Sequence, residues 1–576
     1  MKNFVTWKIG GEAGFGIISA GSMLVKAFSR RGFYTTASNE YPSLIRGGHN
    51  VITVGVGTLP FHSLHKTLDI LIALNSETVE IHTNELHEGS YVVFDPKDVT
   101  PNSSDFPPNT RLIALPMSDI VKNLNATVLM RNTVALGATI ALLGADFSIL
   151  TDVIETQFKK KGKTIIDENI AVAQAGYDGI KKTYGSLNGW YLDAPKQPFG
   201  KLVMNGSEAV GVGALDGGMK FAAIYPMTPI NSLITLFTDH KKELGITYIQ
   251  PEDEIAGINM AIGASIAGVR SMVATSGGGF ALMVEGLSLS GITEVPLVID
   301  LGMRPGPATG MPTWTEQGEL LFVIHSGHGE FARIILSPGD ITECYQLSRI
   351  AFDLAQTYQV PVFILTDKYL NESIWCADKS VFDAPKMPQD GKRVTEKSIS
   401  PDFKRYDMSP SDGISERSVP GTEKGLYIAN SYEHDEKGFT TEDPLIRKSM
   451  TDKRLRKLTA IISHSPTPVI YGDTDSELTF VSFGSTKGPI LEAMKILQEK
   501  GMRTKLIHFS WVYPLDGEKL KKLLQSEKRL VDVEGNGTGQ LAKLIMQVSG
   551  VDIQEKLLKY DGRQWYPEEI IENLKF

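Results

Sequence analysis

Short apolar runs alternate with helical stretches along most of this chain, and the alternation starts afresh near residue 201 and again near residue 468. A strand, a glycine-rich turn and a helix, in that order, form the unit of a sheet covered by helices, which constrains the chain to several α/β layers. The first unit opens with FVTWKIGG at 4–11, a glycine turn, and IISAGSMLVKAFSRRG at 17–32, whose apolar spacing is helical. VITVGVG, DILIALN, SYVVFD and RLIALP follow as further strands, and a largely parallel sheet is expected within residues 1–190. The stretch 184–200 gathers Gly, Pro and Asn without periodicity and marks a boundary. Residues 200–376 read as a second doubly wound domain, in which Ile255, Ile258, Ile262 and Ile266 recur at helical spacing. Residues 377–466 are polar, rich in Pro, Lys and Asp, and read as an extended arm ending in the charged helix RKSMTDKRLRKL. Residues 467–576 return to β/α alternation. The expected fold class is α/β, with multiple doubly wound domains joined by a long arm, and 576 residues fit about four units at roughly 150 each.

With 42% hydrophobic and 22% charged residues the composition is that of a globular protein, which removes disorder, collagen-like repeats and coiled coil as descriptions of the whole. A formal charge of −9 argues against a polyanion-binding surface, so no nucleic-acid partner is expected. The two cysteines, Cys344 and Cys376, are too few for a disulfide framework or a four-thiolate metal site, and any iron–sulfur chemistry then belongs to a partner. The opening MKNFVTWKIGG lacks the apolar segment of a signal peptide. The longest apolar stretch, TVALGATIALLGA at 133–145, falls short of the roughly 20 residues that cross a bilayer. A soluble, cytoplasmic protein without membrane attachment is expected.

Several turns carry residue types suited to ligands. Gly10-Gly11-Glu12-Ala13-Gly14-Phe15-Gly16 feeds a helix N-terminus, where backbone N–H groups and the helix dipole suit a phosphate, although a tight turn without ligand explains the same residues. EYPSLIRGGHN at 40–50 sets Arg46 and His49 beside two glycines and reads equally as a solvated loop. Thr228, in YPMTP, falls at the carboxyl end of a strand, where open α/β sheets bind ligands, and also fits a helix N-cap before proline. Glu252, Asp253 and Glu254 open the long helix, a place where the dipole alone favours acids. TSGGG at 275–279 asks for close backbone approach. Arg304, among the Gly, Pro and Thr of RPGPATGMPT, is a candidate oxyanion anchor because guanidinium offers two parallel hydrogen bonds, with a surface arginine as the plain alternative. GNGTG at 535–539 reads as a loop or as a further helix-start anion site. Walker A, HExxH, kinase and nucleophile-elbow motifs do not occur.

Taken in order, EYPSLIRGGHN, NGSEAVGVGALDGG at 205–218, YPMTP at 225–229, the stretch from Glu252 through TSGGG, and RPGPATGMPT at 304–313 resemble the 2-oxoacid:ferredoxin oxidoreductases. The resemblance is to an alpha subunit with a gamma domain fused in front, covers nearly the whole chain, and extends to DGISERSVPG at 412–421 and YEHDEKG at 432–438 in the arm. GGEAGFG departs from the many relatives with glutamine in that turn, and TSGGG departs where proline is common. The resemblance implies a gamma-like domain, a thiamine-diphosphate pyrimidine-binding domain and a transketolase C-terminal-like domain. It implies that a 2-oxoacid, coenzyme A and oxidised ferredoxin give acyl-CoA, carbon dioxide and reduced ferredoxin.

On the same basis Glu254 is expected to hydrogen-bond the aminopyrimidine of thiamine diphosphate, with Gly277 and Gly278 as further cofactor contacts. Thr228, Arg304 and Thr313 match positions that hold the substrate, while Gly11, Gly14, Gly16 and Arg46 are candidate contacts for coenzyme A. The family's GDG motif with a following Asn, which holds Mg²⁺, is not found. The resemblance therefore assigns Mg²⁺ and a [4Fe-4S] cluster to a beta subunit and has thiamine diphosphate shared with it, in an (αβ)2 assembly served by ferredoxin. Fused gamma and alpha parts with a separate beta chain resemble the 2-oxoglutarate enzymes most, so 2-oxoglutarate is the favoured substrate. A subunit of a non-redox thiamine-diphosphate lyase or transferase, and a non-catalytic nucleotide-binding assembly protein, are the rival readings.

Overall fold

The computed structural model describes residues 3–44, 47–184, 201–382 and 389–575. The chain divides into two compact units: Met1–Met204 with Glu372–Asp383 and Tyr566–Glu572, and Asn205–Asn371 with Ala384–Trp565 and Asn573–Phe576. The boundary read at 184–200 falls almost wholly outside the described residues.

The first unit holds an eight-stranded sheet in the order Arg111–Ala114, Leu86–Phe94, Leu68–Ala73, Phe4–Glu12, His49–Gly57, Tyr34–Glu40, Ile374–Asp378, Lys201–Asn205. Phe4–Glu12 runs parallel to Leu68–Ala73 but antiparallel to His49–Gly57, so the sheet is mixed where a largely parallel one was expected. Connection length explains the difference. Only residues 41–48 join Tyr34–Glu40 to its antiparallel neighbour His49–Gly57, and a parallel crossover takes a dozen residues or more. Ile374–Asp378, read as the end of the second domain, instead pairs antiparallel with Tyr34–Glu40. The apolar run at 133–145 lies largely in the buried helix Arg131–Leu142. That helix meets Lys163–Tyr184 backbone to backbone: a Cβ at Gly137 would overlap the Ala173 carbonyl, and one at Gly176 the Val134 carbonyl. Among the described residues no helix is long and apolar enough to cross a membrane.

The second unit contains a seven-stranded sheet in the order Trp511–Tyr513, Ile334–Leu336, Pro361–Asp367, Leu297–Met303, Ser271–Ser276, Phe221–Ala223, Thr247–Ile249. All neighbours are parallel except the edge pair Ile334–Leu336 with Trp511–Tyr513. Chain connections leave Phe221–Ala223 and Ser271–Ser276 toward opposite edges, which makes the gap between their carboxyl ends a topological switch point. A five-stranded sheet, Val469–Gly472, Thr504–Phe509, Leu478–Phe483, Leu530–Glu534, Glu555–Leu558, completes the unit.

Residues 389–465, expected as an extended arm, pack on their own unit through buried charge. Glu294 ends the helix Gly277–Thr293 in a left-handed conformation and is almost wholly buried. Lys453 Nζ donates to both its carboxylate oxygens at 2.6 and 2.7 Å, and Lys457 Nζ lies 2.5 Å from Oε2. Arg405 Nη2 donates to the Glu294 carbonyl at 2.7 Å. Burial alone would raise the Glu294 carboxyl, but Lys453, Lys457 and Arg405 hold it well below the usual carboxylate range. The charged helix of the sequence, observed as Pro444–His464, thus turns two lysines inward.

Glu294→Gln leaves two buried ammonium groups without their counter-charge. The expected cost is about 3–5 kcal/mol, read as a lower thermal midpoint and faster proteolysis within 389–465. A wild-type midpoint with an equally resistant arm would contradict this account of how the arm is held.

Candidate functional site

Helix starts and strand ends of the second unit gather a set of buried polar atoms that have no partner. The helix Glu254–Ile266 is capped by Asp253, whose side chain accepts from Ala256 N at 2.8 Å. Capping is therefore done by the neighbour. Glu254 itself points inward, 3% exposed, and its Oε1 is buried with no hydrogen-bond partner. The helix Gly277–Thr293 starts directly after the strand Ser271–Ser276. A Cβ at Gly279 would overlap Glu254 Oε1 and Thr275 Oγ1, and would stand 2.9 Å from Glu254 Cδ. Thr275 Oγ1 is likewise buried and unpartnered. Glycine at 279 is what lets the carboxyl lie against the backbone.

On the other side of the same turn a Cβ at Gly277 would meet Glu319, 2.8 Å from Cγ and 2.9 Å from Cδ. Glu319 Oε2 is buried without a partner, and burial first, with Glu316 beside it, pushes this carboxyl up to about 8 against the pull of Arg304. Gly278 is open: the nearest atom to a Cβ there is the Ala308 carbonyl oxygen at 3.8 Å. Arg304, just past the strand Leu297–Met303, donates through Nη1 to the Thr228 carbonyl at 2.8 Å, while burial lowers its pKa and Glu319 opposes that shift. The helix after Thr228 begins at Asn231 with Ile230 as its cap, so Thr228 is not the N-cap. Thr313 is 5% exposed with its hydroxyl unpartnered.

The structure thus brings Glu254, Gly277, Thr228 and Arg304 into one neighbourhood at the carboxyl ends of parallel strands. Sequence reasoning missed Glu319 and Asn371, and took Thr275 only as part of the TSGGG turn. Asn371 is fully buried with neither amide atom partnered, and its Nδ2 would lie 2.7 Å from a Cβ on Gly302. Nothing in the local sequence distinguishes Glu319 and Asn371 from ordinary polar residues. The segment carrying Glu319 is fixed by the five-stranded sheet: Gln317 Nε2 donates to the Phe483 carbonyl at 3.0 Å and Gln317 Oε1 accepts from Gly535 N at 2.7 Å. Gln540 Nε2 reaches the Gly318 carbonyl at 2.7 Å. GNGTG is no open anion site, because Glu534 Oε1 already accepts from Leu541 N and Ala542 N at the helix start, at 2.9 and 3.1 Å.

In the first unit, Gly11 lies within the strand Phe4–Glu12, while Gly14 (φ 95°) and Gly16 (φ 70°) form the turn before the helix Ile17–Ser29. Asn132 Nδ2 donates to the Gly16 carbonyl at 3.1 Å. Arg46 lies outside the described residues. Next to this turn His49 Nε2 meets His82 Nε2 at 3.0 Å and His82 Nδ1 meets Glu85 at 2.7 Å. Burial first, then His82 and Lys8, lowers His49 to about 4, so it is neutral at neutral pH.

Residues 6–179 match the family described as pyruvate ferredoxin/flavodoxin oxidoreductase, and residues 212–452 the family described as pyruvate flavodoxin/ferredoxin oxidoreductase, thiamine diP-binding. Residues 471–558 match the transketolase C-terminal domain. The chain is 31% identical to 2-oxoacid:ferredoxin oxidoreductase 2, subunit alpha, of Aeropyrum pernix, over 98% of this chain and 96% of that protein. It is 32% identical to the 2-oxoglutarate synthase subunit KorA of Methanocaldococcus jannaschii, over 64% of this chain and 97% of that one. A solved structure of 2-oxoglutarate:ferredoxin oxidoreductase from Magnetococcus marinus, with 2-oxoglutarate, coenzyme A and succinyl-CoA bound, superposes with a TM-score of 0.93 at 29% identity, covering 99% of each chain.

The glycine turn makes opposite predictions for adjacent positions. Gly279→Ala forces Glu254 and Thr275 aside at an overpacking cost of about 1–3 kcal/mol. Gly278→Ala meets open space and gains up to about 1 kcal/mol of helix propensity. Thermal midpoints of the two variants should therefore move in opposite directions, and equal shifts would refute the contact at Gly279.

Proposed function

This chain belongs to the 2-oxoacid:ferredoxin oxidoreductase alpha subunits, and from that membership we propose which of its residues do the work. The enzyme is a thiamine-diphosphate-dependent oxidoreductase that decarboxylates a 2-oxoacid oxidatively and passes the acyl group to coenzyme A. Thiamine diphosphate fits the second unit on two observations: the buried Glu254 Oε1 lacks a partner, and the turn Gly277–Gly279 leaves a cradle that a Cβ would fill. When bound, the cofactor supplies the electron sink for loss of carbon dioxide. Glu254 Oε1 would hold the pyrimidine and share a proton with its ring nitrogen, a role that needs a carboxyl oxygen free of protein donors. Gly277 and Gly278 would let the start of the helix approach the ring.

Arg304 takes the oxoacid carboxylate. Its Nη1 bond to the Thr228 carbonyl fixes one edge of the guanidinium and orients the rest as a two-pronged donor. Thr313 offers its unpartnered hydroxyl to the substrate, and Thr228 forms the adjacent wall. The substrate is 2-oxoglutarate, a reading supported by the likeness along the full chain to a 2-oxoglutarate enzyme. Coenzyme A contacts Gly11 near the end of the strand Phe4–Glu12 and the turn glycines Gly14 and Gly16, with Arg46 as a further contact.

A beta subunit supplies the diphosphate–Mg²⁺ site and the [4Fe-4S] cluster, since two cysteines cannot ligate such a cluster and no GDG motif occurs. It covers the exposed Ile255, Met260 and Leu282 on the two helices that begin at Glu254 and Gly277, closing the active site in an (αβ)2 assembly that reduces ferredoxin.

Glu254→Gln should keep the fold and the uptake of thiamine diphosphate but cut turnover by roughly 100-fold or more. Turnover within about threefold of wild type would remove Glu254 from the mechanism. Arg304→Lys should raise the oxoacid KM about tenfold, because a point charge cannot replace the two-pronged donor. A KM unchanged for 2-oxoglutarate, pyruvate and branched-chain oxoacids would return Arg304 to a structural role.

A further inference from the structure

The last strand of the five-stranded sheet, Glu555–Leu558, leads into a loop whose two ends hang on one atom. Lys559 N and Trp565 Nε1 both donate to the Glu534 carbonyl, each at 3.1 Å. Glu534 ends the strand Leu530–Glu534, which pairs in parallel with Glu555–Leu558. Inside that closure Asp561 Oδ1 accepts from Arg563 N at 2.9 Å. Residues 560–564 are therefore fixed at both ends by the sheet.

The tip of this loop meets the segment that carries Thr313. Gly562 O accepts from Thr315 N at 3.1 Å. Gly562 has φ 84°, and a Cβ there would stand 3.1 Å from Met311 Cε and 3.2 Å from Trp314 Cβ, so backbone conformation and space both call for glycine. Beside it the Arg563 guanidinium lies 3.2 Å from the centre of the Trp314 ring, where a cation is attracted to the face of the indole. Thr315 is held again through its side chain: Oγ1 accepts from Tyr369 N at 3.1 Å and donates to Asp367 Oδ1 at 3.3 Å, and Asp367 Oδ2 accepts from Ser485 Oγ.

Thr313 directly precedes these two clamped residues, and its hydroxyl is buried without a partner. Ahead of it, residues 304–312 form neither helix nor strand, and Ala308 and Gly310 take positive φ. No regular element on that side sets where the hydroxyl stands, so its place depends on the clamp that follows. We infer that Arg563 is a positioning residue for the substrate: by stacking on Trp314 it fixes where the Thr313 hydroxyl meets the oxoacid. This inference rests on the reading of Thr313 as a substrate contact. Arg563 acts through Trp314 and touches no reacting atom. Without the stack the Trp314 ring loses its cover and residue 313 shifts, and a substrate contact displaced by about 1 Å is a weakened one.

The test uses the assembled holoenzyme with its partner subunit and 2-oxoglutarate as substrate. Arg563→Gln keeps the side chain's length without its charge and should raise KM about fivefold, with kcat within about twofold of wild type. Arg563→Lys returns a cation to the ring and should bring KM back to within about twofold. Thr313→Val should raise KM by itself, and adding Arg563→Gln to it should raise KM by less than about twofold more, because the clamp then positions no hydroxyl. An Arg563→Gln enzyme with a lowered thermal midpoint but a wild-type KM marks a merely structural contact and overturns the proposal. Effects of the two substitutions that simply multiply overturn it as well. A wild-type KM in Thr313→Val instead removes the reading of Thr313 beneath the inference, and the inference with it, so the two failures are distinguishable.

Discussion

A carboxyl oxygen buried without a donor costs about 1–3 kcal/mol, and at Glu254 the fold holds that cost in place. The side chain is oriented by two neighbours with different tasks. Asp253 caps the helix, freeing Glu254 from that duty, and Gly279 surrenders its Cβ so that the carboxyl can lie against the next helix start. Parallel strands deliver both helix starts to one end of the sheet, at the switch point between Phe221–Ala223 and Ser271–Ser276. Thr275, Glu319, Thr313 and Asn371 leave further buried polar atoms unpaired in the same unit. Native proteins satisfy most such groups, and at Glu254 the unpaired oxygen lies beside a glycine turn that a Cβ would fill.

Elsewhere in the second unit, buried charge pairs act as fasteners. Glu294 with Lys453 and Lys457 holds the helix Pro444–His464, and Arg417 Nη2 reaches the Ser265 carbonyl at 2.5 Å. Residues 389–465 are thereby part of the scaffold around the site. The five-stranded sheet is another such part, since Gln317 joins it to the segment that carries Glu319. Glu534 shows the same economy at GNGTG, where the chain's own carboxylate takes the place an external anion would otherwise occupy.

Much of this was legible in sequence because α/β units announce themselves by alternation and by glycine turns. The strand before TSGGG, the helix after Asp253 and the strand ahead of Arg304 all follow from periodicity, and Glu254, Thr228 and Arg304 were singled out on turn position and motif. What escaped was decided by tertiary partners. Ile374–Asp378 carries no mark that it pairs with Tyr34–Glu40, and the short segment 41–48 fixes an antiparallel pair that apolar alternation alone does not reveal. The arm reads as a polar, extended segment until Glu294, more than 150 residues earlier, is seen to neutralise its lysines. Glu319 is an acid in an unremarked loop, and only burial against Gly277 gives it an unusual proton affinity.

The central claim is that Glu254 Oε1 is left unpartnered for the pyrimidine of thiamine diphosphate. An experimental structure of the assembled complex with that cofactor bound measures this directly. The account predicts Glu254 Oε1 at hydrogen-bond distance, roughly 2.6–3.2 Å, from a pyrimidine ring nitrogen, with the turn Gly277–Gly279 against the ring. A pyrimidine bound elsewhere, with Glu254 Oε1 satisfied by water or by a protein donor, would contradict it.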